Sequence, residues 1–130
     1  MLENQSKTEA KTVLVVEDEP RVRRYSCRIF ASLEYRILEA ENARMAMDIL
    51  EDCHDEINLV FSDIVMPGDN NGRDLVLHVQ ANYPRIEVLL TSGFEKKMSN
   101  STQEEDNRFP VLKKPYSKED LVNALEELSV

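Results

Sequence analysis

The sequence has no long hydrophobic run. Its apolar stretches last only a few residues, whereas a membrane-spanning helix needs about 20. The opening residues are polar and contain no signal-peptide core, so a cytoplasmic protein without membrane contact is expected. Cysteine is scarce too. Cys27 and Cys53 show neither CxxC nor zinc spacing, which excludes a disulfide frame and reads as two reduced, partly buried thiols on helices. His54 and His78 lack ligand-spaced companions and read as surface or helix-flank residues. Positive charge is in deficit: 25 acidic against 16 basic residues leave a formal charge of −9. That balance opposes direct contact with nucleic acid or anionic lipid and points to protein partners. The chain also lacks internal repeats, low-complexity tracts and hairpin signals.

What it does have is alternation. At 130 residues it fits one domain, with 1–11 as a flexible N-terminal lead-in and 12–130 as the folded unit. Strand-like segments are expected at Thr12–Val16, Tyr35–Glu39, Ile57–Ser62, Ile86–Leu90 and Val111–Leu112. Helices are expected between them. The first runs from Pro20 to Leu33, with Val22, Tyr25, Cys27, Ile29, Phe30 and Leu33 available for its inner face. The second is opened by Asn42 as N-cap and carries Ala43, Met45, Ala46, Ile49 and Leu50. The third runs from Gly72 to Ala81. Glu95–Arg108 is polar, so a helix there is expected to be short or poorly formed. Ser117-Lys118-Glu119-Asp120 reads as a capping box opening a last helix to Leu128, with Leu121, Val122, Ala124, Leu125 and Leu128 turned inward. Parallel strands need crossover helices. The predicted fold is therefore α/β: a doubly wound, five-stranded parallel sheet in a three-layer sandwich.

Three of these strands deliver charge at their C-terminal ends, where open parallel sheets bind ligands. The first ends in Glu17-Asp18-Glu19, the third reaches Asp63, and the fifth runs into Lys113-Lys114. Two carboxylates at ~5 Å repel by about 3 kcal/mol at an effective dielectric near 20, so positive charge must sit among them. A hard, oxygen-seeking cation such as Mg²⁺ suits such a site, with Lys114 as the second positive charge. A carboxylate between metal and ammonium is set up to attack a phosphoryl group, because both neutralise the phosphoryl oxygens as the bond forms. Ser92 offers a hydroxyl to a phosphoryl oxygen, and Gly93 leaves space for the group.

The motifs that carry this constellation are Leu14-Val15-Val16-Glu17-Asp18-Glu19-Pro20, Val60-Phe61-Ser62-Asp63-Ile64-Val65-Met66-Pro67-Gly68, Leu90-Thr91-Ser92-Gly93 and Lys114-Pro115-Tyr116. Together, in this order and spacing, they resemble the receiver domain of bacterial two-component response regulators, from Thr12 to about Leu128, which has the flavodoxin-like fold. The resemblance implies Asp63 as phosphoacceptor, Asp18 as a direct Mg²⁺ ligand, Glu17 as a ligand acting largely through water, and the Val65 carbonyl as a further ligand. It implies Lys114 as the site lysine and Ser92 as the switch hydroxyl. Thr91 competes for that role, but the 22-residue step to Lys114 favours Ser92.

Three departures stand out. Glu17 replaces the commoner Asp, and the loop from Gly68 to Gly72 is one residue longer than usual. Val111 occupies the position where many receivers carry an aromatic switch residue, so no such switch is expected.

The implied function is phosphorelay signalling, in which a phosphohistidine on a histidine kinase or histidine phosphotransfer protein donates to Asp63. Mg²⁺ is required, Mn²⁺ is an acceptable substitute, and the protein-binding surface changes. No enzyme activity is implied beyond self-phosphorylation and slow autodephosphorylation, the latter because Val65 and Phe94 keep water from the acyl phosphate. The chain is expected as a monomer or weak dimer. Two other readings are a silent pseudo-receiver acting as a binding module and an aspartyl-phosphate phosphatase, which would want an acid where Val65 stands. Both a stand-alone regulator and the receiver of a hybrid histidine kinase fit, and Thr91-Ser92-Gly93-Phe94 favours the latter.

Overall fold

A computed structural model describes residues 10–66, 71–93 and 109–128. Its strands are β1 (Thr12–Val16), β2 (Arg36–Ala40), β3 (Leu59–Asp63), β4 (Glu87–Ser92) and β5 (Val111–Lys113), and its helices are α1 (Pro20–Ser32), α2 (Ala43–Cys53), α3 (Gly72–Asn82) and α4 (Lys118–Leu128). The strands form one sheet in the order β2-β1-β3-β4-β5, parallel throughout. The expected α/β architecture is present. The weak segment Glu95–Arg108 lies outside the described residues.

Strand periodicity sorts the sheet side chains onto two faces. Leu14, Val16, Val60, Val88 and Leu90 pack with Ala43, Ala46 and Leu50 of α2 and with Leu75, Val76 and Val79 of α3. Val13, Val15, Leu59, Phe61 and Leu89 pack on the other face with Ile29 and Phe30 of α1, with Tyr116, and with Leu121 and Leu125 of α4. β1 and β3 are buried along their whole length, because helices cover both faces of these central strands.

Helix starts are chemically specified. The Asn42 side chain accepts from the Met45 N–H at 2.8 Å. Asn71 and Asp74 form a reciprocal capping box at α3, at 3.0 and 3.1 Å. Ser117 and Asp120 do the same at α4, at 3.1 and 3.0 Å. Each cap satisfies backbone N–H groups left over at a helix start, typically worth about 1 kcal/mol.

The strand ends shift from expectation. β3 begins at Leu59 rather than Ile57; Asn58, just before it, donates its backbone N–H to the Thr12 carbonyl at 2.9 Å, accepts the Glu87 N–H at 3.1 Å, and accepts the Thr12 N–H through its side-chain oxygen at 2.8 Å. β4 runs from Glu87 through Thr91 and Ser92, two residues past the expected Leu90, with Ser92 at the strand end. Tyr25 does not face the core: it is 44% exposed, and Ser26, Ile29 and Phe30 form the buried stripe of α1. Met45 is likewise turned outward on α2. Cys27 and Cys53 are free and half-buried.

Candidate functional site

The sheet's order reverses between β1 and β3, so the loops leaving these strands diverge to opposite faces and open a crevice. Glu17 follows β1 directly and Asp63 ends β3, both nearly buried at 4% and 5% exposure. Asp18 is exposed. Carboxylate oxygens of Glu17, Asp18 and Asp63 lie within 4.8 Å of one another. Lys114, just beyond β5, reaches across β4 into the cluster. Its Nζ donates to Glu17 Oε1 at 2.9 Å and to Asp63 Oδ2 at 3.2 Å.

The electrostatics follow from this layout. Burial raises the Asp63 carboxyl above the ordinary range, and Asp18 adds to it, while Lys114 and the Val65 backbone N–H pull the other way. Burial likewise raises Glu17, against the Lys114 hydrogen bond, with Asp63 adding to the rise. Burial on its own would lower Lys114, but its bonds to Glu17 and Asp63 win and its affinity for the proton rises. At neutral pH the ammonium is therefore fixed as the counter-charge, and the two buried acids remain under-compensated.

Backbone contacts hold these groups in place. The Ile64 N–H donates to the Thr91 carbonyl at 3.0 Å, and the Lys114 N–H to the Ser92 carbonyl at 2.8 Å. Thr91 pairs in register with Asp63, and Ser92 with Lys113. Ser92 thus lies on the strand between acid and lysine, 8% exposed. Val65 flanks the site at 41% exposure, and Phe94 lies outside the described residues. Beside Lys114, a groove of about 670 Å³ is lined by Arg21, Val22, Tyr25, Gly93, Lys114, Pro115 and Tyr116.

Two contributors escaped the sequence reading. A Cβ on Gly72 would lie 2.2 Å from the Asp63 carbonyl oxygen and 2.7 Å from Ile64 Cα, so only glycine lets α3 seat against the backbone that carries Asp63. A glycine directly after an N-cap asparagine was the available signal. The other is Tyr116, whose burial and hydroxyl contacts no local pattern announced.

The donor set fits a small hard cation. Three carboxylates offer oxygen only, and an octahedral ion with bonds of about 2.1 Å holds its oxygens roughly 3–4 Å apart, within the span observed here. Nitrogen or sulfur ligands for a softer metal do not join the cluster among the described residues.

Fold and site together define a flavodoxin-like α/β domain with an acidic, cation-ready pocket at its switch point. The chain belongs to the response regulator receiver domain family, whose profile matches residues 13–126; receiver domains are phosphoacceptors of two-component signalling and generally not enzymes. Among its relatives, the sensor kinase CckA of Brucella abortus is 32% identical over 117 residues, covering 90% of this chain but only 12% of that kinase. The response regulator receiver protein CpdR of the same organism is 26% identical over 120 residues, covering 92% of this chain and 98% of CpdR. A response regulator receiver domain protein from Clostridium thermocellum superposes with a TM-score of 0.79 at 20% identity, over 90% of this chain and 92% of that one. The last likeness concerns the fold alone.

Proposed function

We propose that this domain accepts a phosphoryl group from a phosphohistidine onto Asp63 and changes its protein-binding surface in response. The observation that carries the reading is the bridge made by the Lys114 ammonium between Asp63 and Glu17, in a chain of the receiver family. An Asp63 carboxylate oxygen attacks phosphorus, the P–N bond to the donor imidazole breaks, and the imidazole leaves with a proton. Lys114 neutralises charge on the transferring group and orients Asp63. Mg²⁺, held by Asp18, Asp63, the Val65 carbonyl and, largely through water, Glu17, would supply further charge neutralisation at the phosphoryl oxygens. Ser92 then donates its hydroxyl to a phosphoryl oxygen. This draws the end of β4 toward the site, and the backbone bond from Lys114 to Ser92 ties β5 to that movement.

The donor is a histidine kinase or a histidine phosphotransfer protein. Either a stand-alone regulator like CpdR or a kinase-attached receiver is compatible with what the relatives cover. The acyl phosphate hydrolyses slowly. Incubation with acetyl phosphate and Mg²⁺ tests the core of this reading: the intact mass should rise by one phosphoryl group, and Asp63→Asn should abolish the gain. An unmodified wild-type mass would leave a binding module without chemistry.

A further inference from the structure

Resting on that reading of Asp63 and Lys114, we infer that Tyr116 is a positioning residue for phosphoryl transfer: clasped at both ends by α1, it fixes the short segment that holds the Lys114 ammonium over Asp63.

Lys114 has little else to steady it. β5 is three residues long and lies at the edge of the sheet, paired, among the described residues, to β4 alone. From 111 to 120, Tyr116 is the only buried residue. The Lys114 N–H bonds Ser92 at 2.8 Å, and the next cap comes at Ser117. Between them the chain is held by Tyr116. Its ring meets Phe61, two residues before Asp63, edge-on at 5.8 Å, and it meets Tyr25 at 5.7 Å.

Packing alone would be served by phenylalanine, and a buried hydroxyl is costly unless it is bonded. The hydroxyl is the part to explain. It meets Ser26 Oγ on α1. Ser26, 1% exposed, donates its own proton to the Val22 carbonyl at 3.1 Å, so Tyr116 is the donor in their shared bond. The neighbouring Tyr25 hydroxyl donates to the Tyr116 carbonyl at 2.6 Å. Adjacent α1 residues thus grip the tip and the backbone of one tyrosine, two positions from the site lysine. Tyr25 and Tyr116 also line the groove beside that lysine, so a partner seated there would press on the clasp directly.

Tyr116→Phe should fold normally, because Ser26 keeps its bond to Val22 and the ring volume is retained. With the full chain, acetyl phosphate and Mg²⁺, the rate constant for acyl-phosphate formation should fall about fivefold, matching one hydrogen bond of ~1 kcal/mol at 1.36 kcal/mol per decade. Half-saturation by acetyl phosphate should stay unchanged. The nitrogen resonance of the Lys114 ammonium should move toward that of solvent lysines.

Ser26→Ala should reproduce these effects without adding to them, and it carries the test should Tyr116→Phe not fold. In a Lys114→Ala background neither change should slow the reaction further. A wild-type rate with an unmoved lysine resonance, or an equal slowing with and without Lys114, would overturn the inference. Phosphorylation that survives Asp63→Asn would instead strike at the parent reading.

Discussion

The acids and the cation of the pocket are mounted on unequal supports. Glu17 and Asp63 extend from β1 and β3, central strands buried at every position and covered by two apolar layers. Lys114 leaves an edge strand whose residues are exposed, half-buried and exposed in turn. Negative charge is thus rigidly placed at the switch point, and the positive charge that balances it arrives on the least buried strand of the sheet. Such an asymmetry would suit the proposed switch, in which the element that responds to a new phosphoryl charge is one with little packing to break.

The firm side can be broken most severely through Gly72. The methyl of Gly72→Ala must displace backbone at Asp63 and Ile64, not a flexible side chain. Overpacking of this kind costs up to about 3 kcal/mol. Urea denaturation should show that loss, and the misplaced Asp63 should lose phosphorylation with it. A variant as stable as wild type would mean that α3 can slide on the sheet.

The light side responds differently. Lys114→Ala removes an ammonium bonded to two nearly buried carboxylates, the only one among the described residues. Breaking a fully buried pair costs about 3–5 kcal/mol; because the Lys114 side chain is 23% exposed, about 2 kcal/mol is expected here. Mg²⁺ should recover most of it, since ligand at a hundred times its Kd stabilises by about 2.7 kcal/mol. Thermal melts with and without Mg²⁺ check both halves. A Lys114→Ala protein that melts like wild type without the ion would show that the acids carry no net repulsion.

The alternation of strands and helices, the layers it implies and the charged strand ends were legible in the sequence because each rests on a local signal: runs of Val and Leu, an N-cap before a periodic segment, acids directly after a strand. The relations among elements were not. Tyr25 sits one position from the stripe of Ser26, Ile29 and Phe30, a rotation of about 100°, and apolar periodicity counts an amphipathic tyrosine as core when its hydroxyl in fact bonds Tyr116. Asn58 reads as one more strand residue, and nothing local announces that its side chain adds a bond to the Thr12 N–H beside the backbone bonds it keeps. The grip on Tyr116 depends on segments far apart in sequence, for which one chain offers no pattern, and the glycine after the Asn71 cap marks a helix start without saying which backbone it must approach.

The smallest expected effect isolates the charge term itself. Burial, the largest influence on both acids, raises Asp63 from 3.8 and Glu17 from 4.5, so each binds its proton more tightly folded than unfolded. The stability they contribute is fully present below those unfolded values and is lost as pH rises through the higher folded ones. Lys114, raised from 10.5, keeps its contribution across this window and loses it only in alkali. Without divalent ions, stability should therefore decline as pH rises from about 4 toward neutrality, against the usual gain from paired surface carboxylates. Asp63→Asn removes one of the two titrations, so its decline should be shallower and its stability at pH 7 above that of wild type. Urea midpoints from pH 4 to 7 decide this: parallel curves for the two proteins would mean that the Lys114 ammonium already compensates Asp63 in full.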